Sequence, residues 1–208
     1  MKIYIIRHGE TAVNARGAVL GRFNEPLNQN GRRLAEITGR NMKGIRFDCC
    51  VSSPLDRAKE TAKIILRESE NAIPVNIDDR LIEIDFGDMD CKTIAEMGEE
   101  GLKFYSDPSH FKGFPNGETI QDVCKRTQAF LKELIAKDDN KTYLLTTHGF
   151  AMRCMVNYLS DNPDDIWFGH APYNCSFTIV EAKDGKARIV DIDKVFYDSN
   201  LIVDHFKK

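Results

Sequence analysis

The chain has 208 residues, of which 42% are hydrophobic and 29% charged. That suits one ordinary globular unit with its own core and excludes collagen-like, low-complexity and disordered chains. The 29 Lys and Arg against 32 Asp and Glu leave a net charge of −3, which argues against a protein that wraps nucleic acid, where basic excess supplies the affinity. The charge is uneven, however: residues 1–60 carry 11 basic and 6 acidic side chains, a local excess suited to a small anion.

Residues 2–6 are a short apolar run that reads as a buried strand, stopping at Arg7-His8-Gly9-Glu10-Thr11. Residues 12–31, with Asn14, Gly17, Gly21, Pro26, Asn28 and Gly31, read as loop, and 32–42 as a helix. A second strand is predicted over 47–51. Ser53-Pro54 follows as N-cap and first helical residue, which sets Arg57 in the first turn of the next helix. Residues 73–77 read as a third strand. Residues 81–118 are irregular and rich in aromatics: Phe86, Phe104, Tyr105, Phe111 and Phe114. Thr119 with Asp122 is a capping signature that opens a long helix, with Val123, Cys124, Phe130 and Leu134 among its inward residues. A fourth strand over 143–147 stops at His148-Gly149, and a helix covers 150–159. Strands over 175–181 and 187–193 flank Asp184-Gly185 as a hairpin.

No uncharged apolar run approaches the ~20 residues of a membrane span, and Arg7 arrives too early for a secretory signal. The six cysteines, at 49, 50, 91, 124, 154 and 175, show no C-x-x-C spacing. Reduced, mostly buried thiols in a cytoplasmic protein are expected.

Strands alternating with helices imply a mostly parallel sheet covered on both faces. Ligands then bind beyond the carboxyl ends of the strands. Arg7-His8 and Thr147-His148-Gly149 each follow a strand end, so residues 140 positions apart can share one site. Gly9 allows close backbone approach. Arg57 offers a guanidinium that can bind phosphate oxygens bidentately. Glu83, in Leu81-Ile82-Glu83-Ile84-Asp85-Phe86-Gly87, is either a further site residue or a surface carboxylate. His110, His170 and His205 have no motif context and receive no role.

Together these residues resemble the histidine phosphatase superfamily, also called phosphoglycerate mutase-like. The match runs through Arg7-His8-Gly9-Glu10-Thr11, Asn14, Gly21, Leu27, Gly31, Ser52-Ser53-Pro54, Arg57, Thr61-Ala62, Glu83, Phe86-Gly87, Asn116-Gly117-Glu118 and His148-Gly149. The resemblance implies a three-layer α/β/α fold with about six strands over residues 1–208 as a single domain, 84–118 being a substrate-pocket insertion. It implies His8 as the nucleophile, Glu83 as the proton donor, and Arg7, Arg57 and His148 as catalytic ligands of the phosphoryl group. Asn14, Gly21 and Gly149 join Arg7, Arg57 and His148 in the phosphate site. Two guanidinium groups beside His8 would keep its imidazole neutral, and a backbone carbonyl would fix its tautomer. No metal or cofactor is required, and the expected partner is a small phosphoester, with neither nucleic acid nor membrane.

Two departures from the family bear on the reaction. Met89-Asp90-Cys91 stands where many phosphatases carry Trp-Glu-Gly. Ile84 stands where glycolytic mutases carry Arg, and residues 84–118 contain Lys92, Lys103 and Lys112 but no Arg. A mutase must hold a second anionic group, so the sequence favours hydrolysis of small phosphomonoesters. A cofactor-dependent phosphoglycerate mutase and a catalytically idle phosphate-binding module are the alternatives. The aromatics of 104–114 either shape a pocket for a ring-bearing leaving group or form a satellite core.

Overall fold

A computed structural model of the chain describes residues 1–163, 165–168, 170–198 and 201, with Ser109 described by its backbone alone. The strands are β1 (Lys2–Arg7), β2 (Cys49–Ser52), β3 (Val75–Ile77), β4 (Thr142–Thr147), β5 (Phe177–Lys183) and β6 (Lys186–Lys194). The helices are α1 (Ala12–Ala15), α2 (Gln29–Asn41), α3 (Asp56–Glu68), α4 (Ile94–Ser106), α5 (Ile120–Ile135) and α6 (Gly149–Val156). The sheet order is β3-β2-β4-β1-β5-β6. β3, β2, β4 and β1 run parallel, and β5 and β6 continue as an antiparallel pair.

Period-two alternation decides which helix covers which face. Tyr4 and Ile6 of β1 pack with Leu34 and Ala35 of α2 and with Ala62 and Ile65 of α3. Their neighbours Ile3 and Ile5 point the other way, onto Leu131 and Leu134 of α5 and Met152 and Met155 of α6. This is the expected three-layer α/β/α arrangement. His205 lies outside the described residues.

Differences from the sequence reading have local causes. Residues 12–31 are not all loop: Thr11 caps the short α1, and Asn28 caps α2, which therefore begins earlier than expected. Ser53 is not the cap of α3. That position falls to Leu55, which has no side-chain cap bond, and the Ser53 hydroxyl turns to other partners. Within 81–118 the capping box of Thr93 with Glu96 starts α4, which breaks at Gly98 (φ 63°) before resuming. The Thr119–Asp122 box opens α5 as predicted. Cys50, Cys154 and Cys175 are buried, but Cys49, Cys91 and Cys124 are only half-buried; all six are free thiols. Among the described residues no helix is long and apolar enough to cross a membrane.

Candidate active site

β1 and β4 are in register to their ends, Arg7 opposite Thr147. The His8 backbone N–H donates to the Thr147 carbonyl at 2.9 Å, so the sheet delivers His8 and His148 side by side, ring centroids 5.1 Å apart. β2 ends beside them, its following Ser53 N–H bonded to the Thr146 carbonyl. Gly9 then leads the chain past Gly31, and a Cβ on either glycine would run into backbone of the other segment. The Gly9 N–H donates to Thr61 Oγ1, whose hydroxyl in turn donates to the Arg57 carbonyl.

Arg57 is wholly buried at the start of α3. Its Nε lies between the two imidazoles, 3.3 Å from His8 Nε2 and 3.2 Å from His148 Nδ1. Its terminal nitrogens donate to the carbonyls of Leu20, Gly21 and Phe23. Taking an ion out of water costs several kcal/mol, and charge-assisted hydrogen bonds return about 1.5–3 kcal/mol each. Three carbonyls are therefore enough to hold the guanidinium in place, still charged, although burial lowers its pKa to about 10.

The Arg57 N–H sets both tautomers. Receiving it, His8 Nε2 and His148 Nδ1 must be lone-pair nitrogens. His8 then donates from Nδ1 to the Gly9 carbonyl at 2.7 Å, and His148 from Nε2 to Ser53 Oγ at 2.7 Å. Burial first, then the Arg57 charge, pushes both imidazoles well below the usual histidine range; Arg7 adds to the effect on each. The sequence reading credited the guanidinium groups alone and missed burial as the larger cause.

Arg7 is anchored through Nη1 on the Pro172 carbonyl, while its buried Nε has no hydrogen-bond partner. Glu83, also buried, accepts from the N–H groups of Ile84, Phe150 and Ala151 at 2.9, 3.1 and 2.9 Å. The first turn of α6 thus holds a carboxylate. Burial raises the Glu83 pKa and prevails over those three N–H groups, which favour the charged form.

Arg7, His8, Asn14, Glu83 and Gly149 line one cleft together with Val19, Phe86, Tyr105, Phe150, Trp167 and Ala171. Gly21 stands behind it, its N–H on Asp90 and its carbonyl on Arg57. The aromatics of 104–114 divide. Phe104, Phe111 and Phe114 join a buried cluster with Phe86, Phe150 and Trp167, and Tyr105 reaches the cleft. Ile84 is fully buried in the same cluster. Of the other histidines, His110 meets Asp107 and His170 faces Asp193.

Three supports escaped the sequence reading. Asp90 accepts from the N–H groups of Gly21 and Phe23 and so shapes the loop whose carbonyls hold Arg57. Arg126 of α5 donates to the carbonyls of Arg80, Ile82 and Glu83 and fixes the irregular segment leading into Glu83. Asn174 donates to the His8 carbonyl. The Met89-Asp90-Cys91 departure marked the first; the other two carried no signal. Among the described residues no cluster of three or more His, Cys, Asp and Glu could hold a metal ion.

The two neutral imidazoles make stability pH-dependent. Below the ordinary histidine value of 6.5 the unfolded chain binds two protons that the folded chain refuses, so stability falls as pH falls. Glu83 opposes this with up to one proton, because its folded pKa lies above 4.5 and the native state retains that proton longer. The net is one to two protons, a slope of roughly 1.4–2.7 kcal/mol per pH unit as pH drops from about 6 towards 5. Urea unfolding across pH 7.5–5 measures it. A flat profile would mean that the folded site accepts those protons.

The sequence profile described as the histidine phosphatase superfamily (branch 1) matches residues 3–194. The uncharacterized phosphatase PhoE of Bacillus subtilis is 32% identical over 189 residues, 91% of this chain and 92% of its own. A probable phosphoglycerate mutase, GpmB of Salmonella arizonae, is 28% identical over 166 residues, 78% of this chain and 76% of its own. Among solved structures, Bacillus stearothermophilus YhfR superposes with a TM-score of 0.86 at 28% identity, covering 93% of this chain and 97% of that one. With the profile spanning nearly the whole sheet and both histidine-bearing strand ends, the chain belongs to the histidine phosphatase superfamily.

Proposed function

We propose that the protein hydrolyses small phosphomonoesters through a phosphohistidine intermediate on His8. The observation that carries this reading is the state of the His8 ring. It is buried and neutral, with Nδ1–H tied to the Gly9 carbonyl and the Nε2 lone pair turned towards the Arg57 charge. A nucleophilic imidazole needs that tautomer, and positive charge beside the attacking atom stabilises the transferring phosphoryl group.

In this reading the unpartnered Arg7 Nε donates to a phosphoryl oxygen, and Asn14 and the Gly149 segment border the same space. Arg57 supplies charge and aligns both rings. The dianion's charge opposes the burial and arginine charge that keep His148 neutral, so His148 takes up a proton from solvent as the substrate binds, donates from Nδ1, and gives that proton back to solvent when inorganic phosphate leaves. His8 Nε2 attacks phosphorus in line, the P–N bond forms and the P–O bond to the alcohol breaks. Glu83, which burial already biases towards its protonated form, delivers its proton to the leaving oxygen; the approaching dianion raises its pKa further. A water then attacks the phosphohistidine with the Glu83 carboxylate taking its proton. The P–N bond breaks, and inorganic phosphate and free His8 result.

Hydrolysis is favoured over mutase chemistry by what surrounds the cleft. Ile84 is sealed in the core and cannot meet a substrate. Lys92 rests against Met89 Sδ, and Lys103 and Lys112 border a different groove, so none of the three supplies a second anion site.

Replacing His8 with Ala is expected to remove turnover of phosphomonoesters while the far-ultraviolet spectrum stays native. Rapid quench of the unaltered protein with labelled substrate should trap an acid-labile, base-stable phosphoenzyme. Near-normal turnover by the Ala variant would sink the mechanism, and efficient phosphoglycerate isomerisation without phosphate release would make the protein a mutase.

Glu83→Gln keeps the shape and removes the transferable proton. Alkyl phosphates should lose roughly 100- to 10,000-fold in kcat, and phosphates of acidic phenols, which leave unaided, far less. Equal losses for both classes would assign Glu83 a positioning role instead.

A further inference from the structure

Beyond the reacting atoms the cleft is built almost entirely from uncharged surface. Arg7 and Glu83 are the only charged side chains apart from the neutral His8 ring among the described residues that line it. The free volume is about 40 Å³, room for roughly three waters and so for a phosphoryl group, but not for the alcohol it comes from. The alcohol portion must therefore lie along the outer wall. Lining residues that solvent still reaches include Tyr105, Gly149 and Ala171, none of them charged.

That wall is aromatic and fixed. The Tyr105 and Trp167 rings stack with centroids 4.9 Å apart and planes 24° from parallel. Trp167 lies 5.0 Å from the Phe150 ring and donates from Nε1 to the Phe104 carbonyl at 3.1 Å. Among the described residues, two basic side chains of the neighbouring loops have partners elsewhere. Arg16 donates to the Cys91 carbonyl, and Arg22 pairs with Asp85 and Glu118. A carboxylate or second phosphate on the substrate would lose its hydration against this wall without gaining a charged partner among the described lining residues that form it.

Resting on the hydrolytic reading above, we infer that the cleft selects phosphomonoesters whose alcohol part is uncharged and carries an aromatic ring or similar flat apolar group, with Tyr105 and Trp167 as the specificity-determining residues. An aromatic face offered at the mouth of a water-poor site favours a ring in offset or edge contact over a hydrated polyol or an anion.

The test compares three alkyl phosphates, so that leaving-group acidity does not decide the outcome: 2-phenylethyl phosphate, n-propyl phosphate and 3-phosphoglycerate. The expected order of kcat/KM is phenylethyl above propyl by about 10-fold or more, with 3-phosphoglycerate lowest. Tyr105→Ala should shrink the phenylethyl-to-propyl ratio to below about 3-fold. Ala171→Arg places a cation at the rim and should raise 3-phosphoglycerate relative to propyl phosphate, a gain that no loss of folding can mimic. Phosphate release from 3-phosphoglycerate equal to or faster than from the phenylethyl ester would overturn this inference while leaving hydrolysis intact. An unchanged ratio in Tyr105→Ala would also overturn it. Absence of phosphate release from all three, with no phosphoenzyme formed, would overturn the hydrolytic reading and this inference together.

Discussion

A single buried guanidinium organises this site. Arg57 has no exposed surface, and an ion in that position is stable only if its donors are satisfied. The carbonyls of Leu20, Gly21 and Phe23 provide most of that satisfaction, and the Nε N–H is shared between two imidazoles. The tautomers of both rings follow from that one N–H, while their resistance to protonation comes from burial first and the Arg57 charge second. Other features serve the same arrangement. Asp90 holds the loop that presents the carbonyls, Thr61 ties the Arg57 backbone to Gly9, and the parallel register of β1 with β4 sets the two rings beside each other.

Opposite this positive centre stands Glu83, an acid under conflicting influences. Three N–H groups, two of them from the start of α6, stabilise its anion, while burial destabilises it. A carboxyl balanced in this way can lose a proton and regain it, as acid-base work requires. The same α6 carries Phe150, which packs against Phe104 and Trp167. The helix that positions the acid is therefore seated on the aromatic cluster that walls the cleft.

The layers and most of the strands were legible because they rest on local patterns, whereas the strand order β3-β2-β4-β1-β5-β6 was not. The apolar run in residues 2–6 and the three- and four-residue steps of α3 and α5 are local signals of burial, and they pointed to a buried strand and its covering helices. The meeting of His8 with His148 could be anticipated because both follow strand ends. Residues 81–118 were not legible. Their shape depends on Asp90, Arg126 and Glu118 reaching across to other segments, and such long-range hydrogen bonds leave no mark on local sequence. Ser53 shows a related difficulty. A serine before proline reads as a helix cap, but here its hydroxyl accepts from His148, a choice decided by tertiary packing. The orientation of Arg57 was hidden for the same reason: its motif announces a cation and says nothing of the carbonyls that occupy its fork.

The central claim is that burial, together with the Arg57 charge between them, keeps the His8 and His148 rings neutral, with the proton of His8 on Nδ1. Nitrogen NMR of protein labelled at the imidazole nitrogens reads this directly. The account predicts that two of the histidine rings retain the neutral pattern well below pH 6.5, with the His8 resonances, assigned by their loss in His8→Ala, showing protonation at Nδ1 and a lone pair at Nε2. Titration of His8 and His148 near 6.5, or a His8 proton on Nε2, would contradict it.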